Sequence, residues 1–143
     1  MTDQTLPMPI RAIESYHAHI YFDGPEARER AAVLREQIAA RFRVQVGRWR
    51  DQPVGPHPMP MYQVAFDVAL FSTLVPWLML NRQGLTIVVH PNTDRPRDDH
   101  LKHALWLGQV LNLDGSMLED SLAALGRAQD EIMPNTEPNG AEA

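Results

Sequence analysis

The residue pattern changes period several times along this chain, and the order of those changes limits the fold more than any single motif. Ile13 to Phe22 alternates: Tyr16, Ala18, Ile20 and Phe22 point one way, and Ser15, His17, His19 and Tyr21 the other, as a strand between two different environments requires. Asp23-Gly24-Pro25 stops that strand and opens a helix, Pro25 being suited to a first helical position. From there to about Phe42, Ala31, Leu34, Ile38 and Phe42 fall at helical spacing. Val44 to Trp49 is a second, short strand. The same succession then returns. Tyr62 to Phe66 is a strand and Val68 to Asn81 a helix, which Pro76 should end or kink at Val75. Gly84 closes that helix, and Leu85 to His90 is a nearly all-apolar fourth strand. The order β-α-β-β-α-β predicts a ferredoxin-like α+β domain, an antiparallel sheet of four strands with both helices on one face.

The other segments are less regular. Asp51 to Pro60 holds four prolines and a glycine and is expected as a rigid, extended loop. Pro91 to Pro96 is a second turn-rich loop, after which Asp98 or Asp99 can cap a third helix reaching about Leu111. Met117 to Ile132 is expected as an added C-terminal helix. Residues 1–12 read as an N-terminal arm, 13–132 as one domain, and 133–143 as a disordered tail without apolar periodicity. The sheet face without helices then needs a cover, either that C-terminal helix or a second subunit in a dimer.

Composition removes several function classes. At 143 residues the chain holds one well-cored domain, with the 44% apolar and 22% charged profile of a globular protein. A formal net charge of −5 leaves no basic surplus to neutralise phosphates, so a nucleic-acid partner is not expected. The absence of cysteine removes disulfides, thiolate metal sites and thiol nucleophiles together, and fits a reducing cytoplasm. No basic, then apolar, secretory leader opens the sequence. The longest apolar stretch, Val64 to Leu80, is broken by Asp67, Ser72, Thr73 and Pro76, so no membrane association is expected.

The histidines are the strongest chemical signal. All six occur between His17 and His103, in four short clusters. His17 and His19 share a strand face at i, i+2, roughly 6.6 Å apart along the chain. Two imidazoles so placed can converge on one ion, although paired strand histidines also occur without one. His90 ends the fourth strand, which in this topology lies antiparallel beside the first. Its parity, shared with Thr86 and Val88, allows it to join His17. His57 sits in Gly55-Pro56-His57-Pro58, where flanking prolines hold the backbone and can aim a side chain into a pocket. A rigid turn facing water explains that histidine equally well. His100 and His103 lie at i, i+3 on one helix face; they could ligate metal, but a solvated face or a supporting contact accounts for them better.

The remaining candidates carry less. Glu14 has the wrong parity to join His17 and His19, while Asp94, Asp98 and Asp99 follow the fourth strand and are open either as ligands or as caps. Tyr21, Trp49, Tyr62, Trp77 and Trp106 are enough to line an aromatic pocket, with Tyr62 the candidate contact to substrate, although most such residues are core. Arg48 and Arg82 are candidates to hold a substrate carboxylate in a bidentate pair.

The motifs YHAHIYF, VGPHPMPMYQVAF, LVPWLMLNRQGLTIVVHPNT and DHLKHALWLGQ, in this order and spacing, resemble the DOPA 4,5-dioxygenase-like family. The resemblance runs from about Ile13 to Leu111. It implies a ferredoxin-like domain, dimeric, that cleaves a catechol ring in the extradiol manner with non-haem Fe(II) and O₂. The namesake substrate is L-DOPA, whose ring-opened product cyclises to yellow pigments. The family's histidines carry over to His17, His19, His57 and His90. Strand geometry selects His17, His19 and His90 as the metal ligands and leaves His57 as the acid/base. A purified sample could carry zinc or nickel instead, since intrinsic affinities favour them over Fe(II). Two other readings stay open: a cofactor-free α+β-barrel isomerase or monooxygenase, and a non-catalytic small-molecule or metal-binding protein.

Overall fold

The structure, a computed structural model, describes residues 6–139. Five strands form one antiparallel sheet: β1 (Ser15–Tyr21), β2 (Gln45–Val46), β3 (Met61–Phe66), β4 (Ile87–Asn92) and β5 (Leu105–Leu107), in the order β2-β3-β1-β4-β5. The first four reproduce the ferredoxin-like order, with β1 and β3 central. The helices α1 (Pro25–Arg41) and α2 (Phe71–Asn81) both lie on one face, and α3 (Pro96–Leu101) is short.

Alternation along β1 divides two environments. Ala18, Ile20 and Phe22 face the helices, packing with Val64 and Phe66 of β3, Ile87 and Val89 of β4, Leu34 and Ile38 of α1, and Leu74 and Leu78 of α2. This is the main core, and its side chains are almost entirely shut off from solvent. Tyr21 faces the other way, where Met61 and Val88 meet Met59, Trp106, Leu111 and Leu113. That second face is therefore covered from within the chain, by the proline-rich loop, α3 and the strand and loop that follow it.

Several expectations about elements need correction. Pro76 does not end the expected helix at Val75: α2 runs on to Asn81 with Pro76 on its exposed side. The Ser72 carbonyl freed by the missing amide can there be satisfied by water. Val68–Leu70 form a separate 3-10 turn ahead of it. The long third helix is instead a six-residue helix followed by β5. Its apolar residues satisfy both periods, but Leu105–Leu107 supply the ladder that the edge of β4 lacks, and Gly108, at φ +89°, ends the run.

Asp98 and Asp99 do not occupy the cap position of α3, which belongs to Arg95. Asp99 accepts from the Thr93 amide at 2.8 Å and its hydroxyl at 2.6 Å, closing the turn before the helix. The expected C-terminal helix is absent: Gly115–Met117 and Ala123–Leu125 are 3-10 turns, the second ended by Gly126 at φ +68°. Asp94 holds this stretch by accepting from Ser121 Oγ and the Ala123 amide. Beyond it, where a tail was expected, the Asn135 amide donates to the Val44 carbonyl and its side chain meets Val46, while Thr136 Oγ1 bonds to the Phe42 carbonyl. The open edge of β2 is covered by this segment.

Candidate metal centre

The antiparallel registers of β1 bring the histidines together. His17 stands directly opposite His90 on β4, and His19 opposite Gln63 on β3. Pro58 and Met59 lead the proline loop back over this face, placing His57 beside His19 with ring centres 4.1 Å apart. The short α3 delivers His100 onto His90, with centres 3.8 Å apart. Five of the six histidines thus form one cluster. His103, one turn on, is exposed and points elsewhere. The β4 strand tolerates Pro91 because the β5 ladder stops at Val89↔Leu105.

Hydrogen bonds fix which nitrogens remain available. His90 Nδ1 donates to the Pro91 carbonyl at 2.9 Å, and His100 Nδ1 to that of Pro96 at 2.7 Å. In neutral rings this leaves both Nε2 atoms as lone pairs. His90 Nε2 lies 3.1 Å from His19 Nε2. Two nitrogens each about 2.0–2.1 Å from one ion, at tetrahedral or octahedral angles, stand about 3 Å apart, so this spacing suits shared ligation. His19 Nδ1 is buried with no hydrogen-bond partner. A buried nitrogen without a partner is costly, and it marks His19 as a ring that packing alone does not satisfy. The Tyr21 hydroxyl and His57 Nδ1 are hydrogen-bonded at 2.6 Å, which fixes the His57 ring; in the tautomer whose Nδ1–H donates to the Tyr21 oxygen, Nε2 is left as a lone pair able to accept a proton.

Electrostatics keeps these rings neutral. Burial, reinforced by the neighbouring imidazoles, pulls His17 down to about 4, and burial with His100 does the same to His57, also to about 4. His19 and His90, fully enclosed, are held well below the ordinary value for the same reasons. His100 is lowered by burial, partly offset by its bond to the Pro96 carbonyl. A cluster of neutral imidazoles is the protonation state that metal ligation needs. Among the described residues, two groups of three have ligand atoms within 4.8 Å of one another: His17, His19 and His90, and His19, His57 and His100. Neither includes a carboxylate, and Asp94, Asp98 and Asp99 are engaged with Ser121, Lys102 and Thr93 respectively. The donor set, its neutrality and its spacing fit a divalent transition metal.

The other expected site residues divide. Arg48 lines a 260 Å³ cavity that reaches His19 and His57. Tyr62 and Arg82 are not brought to the histidines. Tyr62 pairs with Ile20 and so faces the helices, fully buried, its hydroxyl donating to the Ala31 carbonyl. Arg82 closes α2, donating to the Leu85 carbonyl. Two contributors were weighed in the sequence but not chosen, Tyr21 as a pocket-lining aromatic and His100 as a possible ligand. Tyr21 shares the parity of His17 and His19, a signal that was present. His100 depends on where α3 stops, which no residue spacing announces.

An antiparallel ferredoxin-like sheet carries, on the face opposite α1 and α2, a neutral all-histidine cluster that could hold a metal, and this defines a small mixed α/β protein with a candidate metal site. The model of the Dopa 4,5-dioxygenase family matches residues 16–117, and the chain belongs to that family. It is 34% identical over 128 residues to a DOPA 4,5-dioxygenase of Amanita muscaria, covering 84% of this chain and 53% of that protein. An uncharacterised 21.2 kDa protein of Botryotinia fuckeliana is 33% identical over 126 residues, covering 81% of this chain and 68% of the relative. The chain thus spans about half the length of the Amanita protein and about two thirds of the Botryotinia one. Among solved structures, a candidate dioxygenase from Nostoc punctiforme superposes with a TM-score of 0.76 at 50% identity, covering 78% of this chain and 96% of that one. These names point to a dioxygenase-type oxidoreductase. No helix among the described residues is long and apolar enough to cross a membrane.

Proposed function

We propose that this chain is a non-haem iron extradiol dioxygenase that opens a catechol ring with O₂, His17, His19 and His90 holding Fe(II) and His57 acting as acid/base. The observation that carries this reading is the meeting of three neutral imidazoles from two paired strands, their ligand atoms within 4.8 Å. A bound Fe(II) would supply the redox centre and Lewis acid at which catechol and O₂ are brought together. The chain's own residues do the rest. His57, neutral at pH 7 and steadied by Tyr21, can accept a catechol hydroxyl proton and return it as the ring opens. The proline loop and Trp106, stacked on Tyr21 with centres 6.1 Å apart, wall off the histidine face on either side. Both atoms of O₂ end in the product, so no further reductant is needed. Arg48 stands at the cavity mouth for a substrate anion. We place this activity in a homodimer in the reducing cytoplasm, and light scattering on the purified chain tests the dimer.

Anaerobic Fe(II) reconstitution, followed by air and a panel of catechols, should give one iron per chain and a yellow ring-opened product. His17→Ala and His90→Ala should lose the metal, whereas His57→Ala should keep it and lose turnover by roughly 10²–10⁴-fold. Full ring cleavage by a metal-free His17→Ala protein would overturn the assignment, and activity that survives exhaustive chelation would favour a cofactor-free enzyme.

The second histidine group supports one alternative, with His19, His57 and His100 as the ligands. Metal loss in His100→Ala, together with retention in His17→Ala, would select it.

A further inference from the structure

The cavity beside His19 and His57 is shaped by an irregularity in the β2–β3 hairpin. Gln45 and Val46 pair with Ala65 and Val64, yet further along Arg50 pairs with Met61. Between these points the β2 side carries one residue more than the β3 side, which is a β-bulge. Without it, strand alternation would put Arg50 on the helix face with Val46. With it, Trp49 turns inward, its ring centre 5.1 Å from that of Tyr62, and Arg50 moves to the histidine face opposite Met61. Gly47 permits the close pass, since a Cβ there would stand 3.3 Å from the Gln63 carbonyl oxygen.

The result is a pocket lined by the buried His19 and His57, by Gln63, and by two arginines, Arg48, which is exposed, and Arg50, which is partly so. Among the described residues, neither guanidinium has an ion pair or a side-chain hydrogen bond. No carboxylate lines the cavity. Asp51, adjacent in sequence, is engaged by Arg28 at 2.7 Å and 3.2 Å. The mouth is therefore locally cationic in a chain of net charge −5. At 260 Å³ the space lies below the roughly 300–1,000 Å³ of drug-sized clefts, which suits one ring with a short arm.

Resting on the ring-cleavage reading, we infer that Arg48 and Arg50 select catechols whose side chain ends in a carboxylate and carries no ammonium group. A guanidinium binds a carboxylate through paired, charge-assisted hydrogen bonds. An ammonium on the same arm finds no acid to accept it and meets two like charges. The preferred substrate class is thus an anionic catechol such as dihydroxyphenylpropanoate. L-DOPA, a zwitterion, comes below it, and dopamine, a cation, comes last.

The test compares kcat/KM of the iron-loaded protein for dihydroxyphenylpropanoate, L-DOPA, dopamine and uncharged methylcatechol, at fixed ionic strength. The expected order is anion, then zwitterion, then cation. The ratio of anion to methylcatechol should fall roughly tenfold or more in Arg48→Gln/Arg50→Gln, and Arg50→Lys should recover part of it. Equal turnover of all four catechols, or an unchanged ratio in the double variant, overturns the inference and leaves ring cleavage standing. If no catechol is cleaved, the ring-cleavage reading fails. Tryptophan fluorescence then decides the inference alone: phenylpropanoate should quench the metal-free protein more strongly than phenethylamine, and less so in the double variant. No difference between the two ligands rejects it.

Discussion

The two faces of one sheet put opposite demands on the same strand. Toward the helices, β1 presents Ala18 and Ile20 to a core of apolar side chains that needs nothing but complementary shape. On the other face it presents His17 and His19 to an enclosed group of imidazoles, one nitrogen of which has no partner. The first face stabilises the fold, and the second costs stability in the metal-free protein. A polar cluster kept buried and neutral at such cost marks where the chemistry sits.

Three measurements bear on that contrast, beginning with the largest expected change. Phe66→Ala empties part of the helix-face core and should lower unfolding free energy by about 3–5 kcal/mol in urea titrations. A loss below about 1 kcal/mol would mean that this face is not the main source of stability.

Next comes acid. His17 and His57 titrate near 4 when folded, against an ordinary 6.5. Between those values the unfolded chain binds more protons than the folded one, so stability must fall as pH drops from about 6.5 toward 4, and His19 and His90, also held well below the ordinary value, add to the loss. Metal-free protein should show this loss in thermal melts as a decline of a few °C or more. Zinc-loaded protein should resist it until protons displace the ion. A melting temperature flat from pH 7 to pH 4 without metal would show that these rings are not buried as neutral groups.

The smallest effect is the most discriminating. His19→Leu removes the orphaned Nδ1 and should leave metal-free stability unchanged or raised by about 1 kcal/mol, while abolishing metal binding. A destabilisation as large as that of Phe66→Ala would mean that the histidine face is structural.

Much of the site was legible because strand periodicity is rigid. Parity alone put His17, His19 and Tyr21 on one face, and the antiparallel order of β1 and β4 placed His90 opposite His17. His100 was not legible, since the same residues suit a long helix and a short one, and the unpaired edge of β4 decided between them. Tyr62 was misplaced for a simpler reason. Its partner Ile20 faces the core, so parity applied to β3 would have excluded it.

By itself, then, the sequence determined the order of strands and helices, the two-sided character of β1 and the nearness of three histidines. Those follow from local periods and from the few ways that a β-α-β-β-α-β chain can close. The tertiary structure decided what depends on contacts between distant segments: β5 in place of a helix, His100 over His90, the C-terminal segment along β2, and the extra residue that turns Arg50 toward the cavity. Each is a choice between local conformations of similar energy, settled by which backbone groups and apolar surfaces the rest of the chain left uncovered.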